Sequence, residues 1–461
     1  MGIAAVVILA AGRSKRMKTM RSKVLHPLLG RPMIFYGVEL AQKLKPRKTV
    51  IVVGRQSRDL REALRSSRVE FAVQREPLGT GDAARAAMPA LKGMRGLVLI
   101  FYADNPLLQV RTLQKLVRLR EQTGSGLSIL TAIFPEPPAF GRIIRDEQGK
   151  VIGIVEDSDC TQEQRAIKEV NAGVYCADIE FLRNALRQIR NRNRQKEYYL
   201  TDLVKLAADK GLPVVAATAQ DFREALGINS RAELAKAAAI LRAKINWDWM
   251  AKGVSLEDPA SIIIEPEVRI GRDTIIEAGA RLCGRTRLGK NCRVQAGARI
   301  VDSVLADNVE VRQGSVIEES RIGSGTSIGP MAHLRPGCKV GRHVRIGNFV
   351  ELKKARVGDS SIAAHLTYLG DAVIGKRVNI GCGVITCNFD GVRKNLTVIE
   401  DDAFIGSDSQ LVAPVRVGRN AYIGSGSTIT DDVPSAHLAL ARSRQMNKPR
   451  PRLASLQNRK K

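Results

Sequence analysis

The chain has 461 residues, enough for two or three domains with a sizeable core. Its hydrophobic fraction of 44% is ordinary for a globular protein, and its early apolar run, residues 4–11, is too short to span a bilayer. The formal net charge of +28 is unusual. It could attract nucleic acid or anionic lipid, although phosphate substrates or a lineage that favours Arg are the better explanation.

Residues 1–228 alternate predicted strands and helices. Apolar runs predict strands at 6–10, 50–53, 71–74, 97–101, 128–133 and 214–218, with helices at 33–43, 58–65, 81–88 and 111–121. This order predicts an α/β domain with a parallel sheet, helices on both of its faces and ligands at the carboxyl ends of the strands.

A helix is predicted to link the two halves of the chain, over residues 229–253. Ser230 and Glu233 have the spacing of a capping box, and Gly253 is suited to end the helix. One face of this helix is apolar, with Leu234, Ala238, Leu241, Ile245 and Trp249.

Residues 254–440 carry an aliphatic side chain at every sixth position over long stretches. A six-residue period fits neither a helix nor a plain strand, and it predicts a β-solenoid in which each short strand points one aliphatic residue into a shared interior. The positions are Ile270, Ile276, Leu282, Leu288, Val294, Ile300; Leu305, Val311, Ile317; Ile322, Ile328, Leu334, Val340, Ile346, Leu352; and Ile399, Ile405, Leu411, Val417, Ile423, Ile429.

The seven cysteines are scattered through the chain, and its end is basic. The cysteines form no C-x-x-C pair and have no His partner at metal spacing, which predicts free thiols in a reducing cytoplasm. Residues 433–461 hold eight Lys or Arg and no acid, and residues 441–461 are expected to form a mobile basic tail.

A phosphate-binding turn is predicted after the first strand. The strand runs through Leu9 into a turn of small residues, Ala10, Ala11 and Gly12, whose backbone N–H groups would face phosphate, and the following basic residues add positive charge. This turn alone is weak evidence for phosphate binding. Three further groups at the ends of predicted strands strengthen the prediction: Gln74, the segment 78–81, and Tyr102, Ala103 and Asp104.

These motifs resemble the sugar-nucleotide pyrophosphorylases. With the solenoid attached, residues 5 to about 445 resemble the bacterial family of bifunctional N-acetylglucosamine-1-phosphate uridyltransferases and glucosamine-1-phosphate acetyltransferases. The strings 153–156, 197–202 and 365–371 carry this resemblance. It implies a Rossmann-like nucleotidyltransferase domain, then a left-handed parallel β-helix of hexapeptide repeats, in a homotrimer that makes UDP-N-acetylglucosamine for peptidoglycan and lipopolysaccharide.

The resemblance implies substrate contacts in the N-terminal half. UTP, N-acetylglucosamine 1-phosphate and Mg²⁺ would bind there, with the metal on Asp104 and Asn229. Arg16 and Lys23 would face the triphosphate. The remaining implied contacts are Leu9, Ala10, Ala11, Gly12, Gln74, Gly79, Thr80, Tyr102, Ala103, Gly141, Glu156 and Asn171.

The N-terminal half also departs from the family pattern. Ser14 and Lys15 stand where Gly and Thr are expected, Ser22 replaces Pro, and Ala103 replaces Gly. A methyl group at position 103 could crowd a ligand, and a strained turn at 14 could cost about 1 kcal/mol. Uridylyl transfer is expected to be retained, at a rate that these substitutions could lower.

The acetyltransferase half departs less. His365 is predicted to act as the general base toward the glucosamine 1-phosphate amine. Arg335 and Lys353 would grip the sugar phosphate. Further implied sugar-site contacts are Tyr368, Asn379, Asn388 and Phe389, and implied acetyl-CoA contacts are Cys382, Ser407, Ser425 and Arg442. Phe389 replaces a Tyr of the family, and Cys382 is expected to be a small buried thiol.

Two alternatives remain open on the sequence alone. The chain could retain only the acetyltransferase, or use another sugar phosphate, if the altered phosphate loop and Ala103 are damaging. It could instead be a non-catalytic regulatory assembly protein, since some translation-factor subunits resemble the same two-domain plan. Retention of Asp104, Lys23 and His365 argues against the second alternative.

Overall fold

A computed structural model of the protein describes residues 2–12 and 15–449. The chain forms two compact units that divide after Leu241. Arg13 and Ser14 of the phosphate turn, and residues 450–461 of the basic tail, lie outside the described residues. The expectations stated for them stay predictions.

The first unit contains a mixed sheet with flanking helices. Its strands are β1 (Ile3–Leu9), β2 (Pro27–Leu28), β3 (Arg31–Pro32), β4 (Lys48–Val53), β5 (Glu70–Val73), β6 (Leu97–Tyr102), β7 (Leu127–Ile133), β8 (Arg142–Arg145), β9 (Val151–Val155), β10 (Glu169–Asp178) and β11 (Val214–Thr218). Its helices are α1 (Ile34–Leu44), α2 (Arg58–Ala63), α3 (Thr80–Ala87), α4 (Val110–Thr123), α5 (Gln162–Arg165), α6 (Ile179–Gln188) and α7 (Asp202–Ala208), and α8 (Arg231–Met250) follows. Short 3₁₀ turns lie at Lys15–Met17, Lys23–Leu25, Met88–Leu91, Asp157–Asp159 and Phe222–Ala225.

The strand order across this sheet is β11-β7-β10-β6-β1-β4-β5. Strand β10 runs antiparallel to both of its neighbours, whereas the other pairs on this path are parallel. The prediction of a fully parallel sheet was therefore wrong. Strands β8, β9 and β10 were missed. Asn171 and Gly173 interrupt the apolar alternation of β10, and its register with β7 shifts between Asn171 and Tyr175.

Helices cover both faces of the sheet, as predicted. Val6 and Ile8 of β1 pack in one core with side chains of α1 and α4. Ala5 and Val7 point the other way, into a core with side chains of α3 and α6. Alternate residues of a strand face opposite sides, so the apolar run of β1 is buried on both.

Helix α8 begins at the predicted capping box. Ser230 Oγ accepts a hydrogen bond from Glu233 N at 3.2 Å, and Glu233 Oε2 accepts one from Ser230 N at 2.9 Å. The predicted apolar face is also confirmed. Leu234 packs against a small core of the first unit, and Trp249 packs against the core of the second unit.

The second unit is a solenoid whose coils build three parallel ladders. Ile263 pairs with Arg281 and Arg287 pairs with Val304, offsets of 18 and 17 residues per coil. Face A contains Ser255–Leu256, Ile275–Ile276, Arg293–Val294, Glu310–Val311, Ser327–Ile328, Arg345–Asn348, Ile362–His365, Asn379–Ile380, Phe404–Ile405, Tyr422–Ile423 and Leu438–Ala439. Face B contains Ile263–Ile264, Arg281–Cys283, Arg299–Val301, Val316–Glu318, His333–Leu334, Glu351–Lys353, Tyr368–Gly370, Ile385–Cys387, Gln410–Val412 and Thr428–Ile429. Face C contains Arg269–Ile270, Arg287–Leu288, Val304–Leu305, Arg321–Ile322, Lys339–Val340, Arg356–Val357, Ala372–Ile374, Thr397–Ile399 and Val415–Val417.

Every aliphatic position of the predicted six-residue repeat is buried in one continuous core. The hexapeptide solenoid is thus confirmed. The same core continues where the sequence showed no clear repeat, through Val357, Ala363, Leu369, Ile374 and Ile380. Here two steps shorten to five residues and one position is Ala, so the period is lost in the sequence although the coils continue.

Candidate active sites

A cleft of about 580 Å³ lies where β1, β5 and β6 end. Since β1 is parallel to β6 and β4, and β4 to β5, their carboxyl ends meet at one edge of the sheet. The cleft gathers the following predicted contacts: Leu9, Ala10, Ala11, Gly12, Lys23, Gln74, Gly79, Thr80, Tyr102, Asp104, Gly141, Glu156, Asn171 and Asn229. Arg16 and Ala103 do not line it.

Lys23, Asp104 and Asn229 form a polar group at the floor of the cleft. Lys23 Nζ forms an ion pair with Asp104 Oδ2 and donates a hydrogen bond to Asn229 Oδ1 at 2.8 Å. The Lys23 and Asp104 side chains are only 13% and 15% exposed. Asn229 is held here because Ile228 N bonds to Asp104 O at 2.9 Å. Two hard oxygen ligands thus converge on one cation.

The segment 78–81 forms one wall of the cleft by pairing with the segment 197–200. Tyr198 N donates to Leu78 O at 2.8 Å, and Gly81 N donates to Tyr198 O at 2.7 Å. Gly79 has φ +110°, and a Cβ there would lie 2.6 Å from Tyr198 O, so only glycine fits. Buried Gln74 donates from Nε2 to Gly79 O at 3.0 Å. Two separate sequence motifs therefore build one wall.

The opposite side of the cleft is built on Glu156 and Asn171. Burial raises the pKa of Glu156, and the Thr201 hydroxyl partly offsets this by donating to Glu156 Oε1 at 3.1 Å. Asn171 Nδ2 donates to the Tyr175 hydroxyl at 2.7 Å. Burial also raises the pKa of Tyr102, so this phenol stays a neutral donor at the cleft.

Arg142 is a positioning residue that the sequence analysis missed. Its side chain is 3% exposed. It donates to the carbonyls of Pro138 and Phe140, next to Gly141, and its Nη2 lies 3.4 Å from Asp157 Oδ1, next to Glu156. One buried guanidinium therefore ties together the two loops that carry the predicted sugar contacts. Its sequence context, the first residue of a short strand, gave no signal of this role.

Two residues that depart from the family pattern, Ala103 and Ser22, fit the backbone and core around them without strain. The Ala103 side chain is buried in the sheet core rather than in the cleft, so the expected crowding of a ligand by its methyl group is not supported. Ser22 adopts φ −55° and ψ 132°, a conformation that proline also favours. Arg16 is exposed, in the turn Lys15–Met17.

In the solenoid, His365 ends a strand of face A. Its Nδ1 lies 2.7 Å from Oδ1 of Asn348, the residue in register with it on the preceding coil. With the amide oxygen as acceptor, Nδ1 carries the hydrogen and Nε2 keeps its lone pair toward solvent. Asn348 was missed by the sequence analysis, because its role depends on coil register and not on a motif.

The predicted acetyl-CoA contacts Cys382, Ser407 and Ser425 occupy the position of His365 on the coils that follow it. Leu366 N bonds to Asn348 O at 3.0 Å, Asp408 N bonds to Cys382 O at 2.7 Å, and Gly426 N bonds to Ser407 O at 2.8 Å. Together with the face A registers, these bonds align one column: Asn348, His365, Cys382, Ser407 and Ser425. Arg442 is exposed at the end of this column, beside Gly426.

Cys382 is exposed, which corrects the expectation of a buried thiol. The residue lies just past the strand Asn379–Ile380, where the chain turns the corner and the side chain leaves the core. All seven cysteines are free, as predicted.

A basic cluster of Arg335, Lys353 and Lys394 lies on face B of the solenoid and in the loop that follows it. Lys394 and Arg335 lie close enough to Lys353 for their charges to lower its pKa, with Lys394 the larger cause. Arg335 Nη1 also pairs with Glu351 Oε1 at 3.1 Å. Like charges held together favour a bound anion such as a phosphate. Lys394 was missed because it lies in an irregular loop between two strands.

The loop that carries Lys394 also positions two predicted sugar-site residues. Asn388 Nδ2 donates to Asp371 Oδ2 at 2.6 Å. Phe389 is 55% exposed, and Lys394 Nζ lies 5.2 Å from its ring centroid. Tyr368 and Asn379 each begin a strand on the neighbouring coils and are half-buried.

Among the described residues, no group of three or more His, Cys, Asp or Glu side chains could hold a metal ion. In the same part of the chain, no helix is long and apolar enough to cross a membrane.

The fold and the two sites define a two-domain transferase that combines a nucleotidyltransferase with a hexapeptide acyltransferase. Residues 6–154 match the MobA-like NTP transferase domain, residues 264–358 the GMPPB C-terminal domain, and residues 396–431 the bacterial transferase hexapeptide with six repeats.

Whole-length relatives identify the family. The chain is 48% identical to the bifunctional protein GlmU of Geobacter metallireducens, with 97% of this chain and 98% of the relative covered. It is 46% identical to that of Pelobacter propionicus, with 96% and 97% covered. It is 44% identical to that of Shouchella clausii, with 96% and 97% covered. The chain belongs to the GlmU family of bifunctional enzymes.

Proposed function

We propose that the two sites work in sequence to make UDP-N-acetylglucosamine. The solenoid site transfers the acetyl group of acetyl-CoA to glucosamine 1-phosphate, and the cleft joins the product to UMP from UTP, with release of pyrophosphate. The observation that supports this proposal most strongly is that most of the predicted N-terminal contacts line one cleft, while His365 and the predicted acetyl-CoA contacts Cys382, Ser407 and Ser425 form one column on the solenoid. Family membership supports both activities.

In the cleft, the chain would hold two anions against each other. The Asp104 carboxylate and the Asn229 amide oxygen suit Mg²⁺, and they already share one cation, the Lys23 ammonium. When bound there, Mg²⁺ would neutralise phosphate charge. Lys23 would then turn from these oxygens to a phosphate, Gln74 and Gly79 would contact the base, and Glu156 and Asn171 would orient the sugar.

In the solenoid, His365 Nε2 would take a proton from the substrate amine, since Nδ1 is committed to Asn348. Arg335, Lys353 and Lys394 would hold the sugar phosphate. Acetyl-CoA would lie along the column of Cys382, Ser407 and Ser425. Because His365 occupies the next position of that column, a donor bound along it would bring its acetyl group beside the base.

We also propose a homotrimer in the cytoplasm. Face A exposes a run of apolar side chains on its last coils, where Phe404 and Tyr422 stack at 4.5 Å and Leu438 follows. Burial of such a run in a subunit contact is favourable. Seven free thiols suit a reducing compartment.

Complementation between two variants tests this assignment. His365→Ala should uridylylate supplied N-acetylglucosamine 1-phosphate but not acetylate glucosamine 1-phosphate, whereas Asp104→Asn should do the reverse. A mixture of the two should make UDP-N-acetylglucosamine from glucosamine 1-phosphate, because the intermediate can pass between chains. Loss of both activities in either variant, with an unchanged melting temperature, would refute two independent sites.

A further inference from the structure

Face C of the solenoid carries a row of basic side chains, one on each of five strands. Strand registers place Arg269 opposite Arg287, Arg321 opposite Lys339, and Lys339 opposite Arg356. Val304 fills the position between Arg287 and Arg321. All of these side chains are exposed. Neighbouring strands lie about 4.8 Å apart, so the row extends over about 24 Å.

Several other arginines on the solenoid are paired with acids of a neighbouring coil. Arg293 pairs with Glu277 at 2.9 Å, and Arg299 pairs with Glu318 at 3.1 Å. Within the part of the chain that the structure describes, none of the five cations of the row forms an ion pair with a carboxylate. Like charges directly opposite each other on adjacent strands are destabilising, and along this row carboxylates do not offset that cost.

A groove of about 520 Å³ runs beside the row. Arg321, Lys339, Arg356 and Lys376 line it. Asp359, an acid at its edge, is already paired with Arg342 at 3.1 Å. Neither this groove nor the row takes part in the two sites described above.

We propose that this row binds the sugar–phosphate backbone of duplex nucleic acid without sequence specificity. A linear row of cations fits a linear polyanion, and four of the five are Arg, whose planar fork suits phosphate. The row contains no aromatic side chain on which unpaired bases could stack, which favours a duplex over a single strand. Val304 is the one apolar side chain within the row, too small an apolar surface to enter a bilayer, which favours nucleic acid over an anionic membrane.

Salt dependence of binding to a fluorescent 20-base-pair DNA duplex tests the proposal, with the full-length chain. Each phosphate contact contributes about −0.9 to the slope of log K against log salt concentration. The variant Arg321→Gln/Lys339→Gln/Arg356→Gln should lower the magnitude of the slope by about 2.7 and weaken binding at least about tenfold. Val304→Lys, which closes the gap in the row, should tighten binding and steepen the slope by about 0.9.

The matched control is Arg293→Gln/Arg299→Gln/Arg312→Gln, which removes the same charge from other faces of the solenoid. It should leave duplex affinity and slope close to those of the unchanged protein. Acetyl transfer should be unchanged in all three variants and shows that they are folded. Equal weakening by row and control variants, no effect of Val304→Lys, or row-dependent binding to phosphatidylserine vesicles but not to the duplex would each overturn the proposal.

Discussion

Replacing Asn348 with Ala tests how the solenoid site prepares His365. The Asn348 Oδ1 to His365 Nδ1 distance is 2.7 Å, a normal hydrogen bond that orients the ring and fixes the hydrogen on Nδ1. A hydrogen bond of this kind contributes about 0.5–1.5 kcal/mol. Loss of the whole contribution from the transition state would lower kcat/KM between about twofold and thirteenfold.

The assay is the release of free CoA from acetyl-CoA with glucosamine 1-phosphate, followed across a range of pH. Uridylyl transfer by the same sample is the internal control, because its cleft belongs to the other unit. Asn348→Asp should retain the orientation of His365 but place a carboxylate beside it, which favours imidazolium. The pH profile of acetyl transfer should therefore move to higher pH in this variant.

A purely structural role for Asn348 would change the melting temperature of both variants and leave the pH profile in place. The reasoning is refuted if Asn348→Ala retains full kcat/KM, or if Asn348→Asp titrates like the unchanged protein. Equal losses of acetyl and uridylyl transfer would also contradict it, since the effect would then not be local.

Three further predictions concern side chains at the two sites. Maleimide should modify exposed Cys382 before the other cysteines, and this modification should block acetyl transfer but not uridylyl transfer. Acetyl-CoA should protect Cys382 from maleimide, and the Cys382→Ala variant should resist inhibition. Modification of Cys382 without loss of acetyl transfer would contradict its place in the acetyl-CoA column. Arg142→Met should raise KM for the sugar phosphate at least about tenfold and leave KM for UTP unchanged, because charge-assisted hydrogen bonds contribute about 1.5–3 kcal/mol each. Arg142→Lys should recover part of the loss. Equal changes in both KM values would argue against a positioning role for Arg142. Because burial raises the pKa of Glu156, the folded protein keeps this proton to higher pH than the unfolded chain, so stability is lost as pH rises through the raised pKa. The melting temperature of Glu156→Gln relative to the unchanged protein should therefore increase from pH 5 to pH 8, and a constant difference would contradict this cause.

The solenoid could be predicted because its core repeats a local rule. Each coil points one aliphatic residue of each strand into the interior, six positions apart, and Ile270, Ile276 and Leu282 are buried as expected. The rule fails where a corner loses one residue, as between Leu352 and Val357. The burial of Val357 in the same core and the strand pairing between coils show that the solenoid continues there.

The mixed sheet and the supporting residues could not be predicted, because they depend on long-range register. The direction of β10 is set by its pairing with β6 and β7, to which no local signal points. Asn348 becomes important only because His365 lies beside it one coil later. Arg142 acts through two loops that approach each other after folding. Motifs predicted residues that would touch substrates, whereas residues that orient them emerged from the structure.

One mass-spectrometric time course tests the central claim most directly. The unchanged protein is given glucosamine 1-phosphate, acetyl-CoA, UTP and Mg²⁺. Two sites working in sequence predict that N-acetylglucosamine 1-phosphate appears first and is then converted to UDP-N-acetylglucosamine. Accumulation of N-acetylglucosamine 1-phosphate with no nucleotide sugar would contradict the claim and leave the cleft without its proposed reaction.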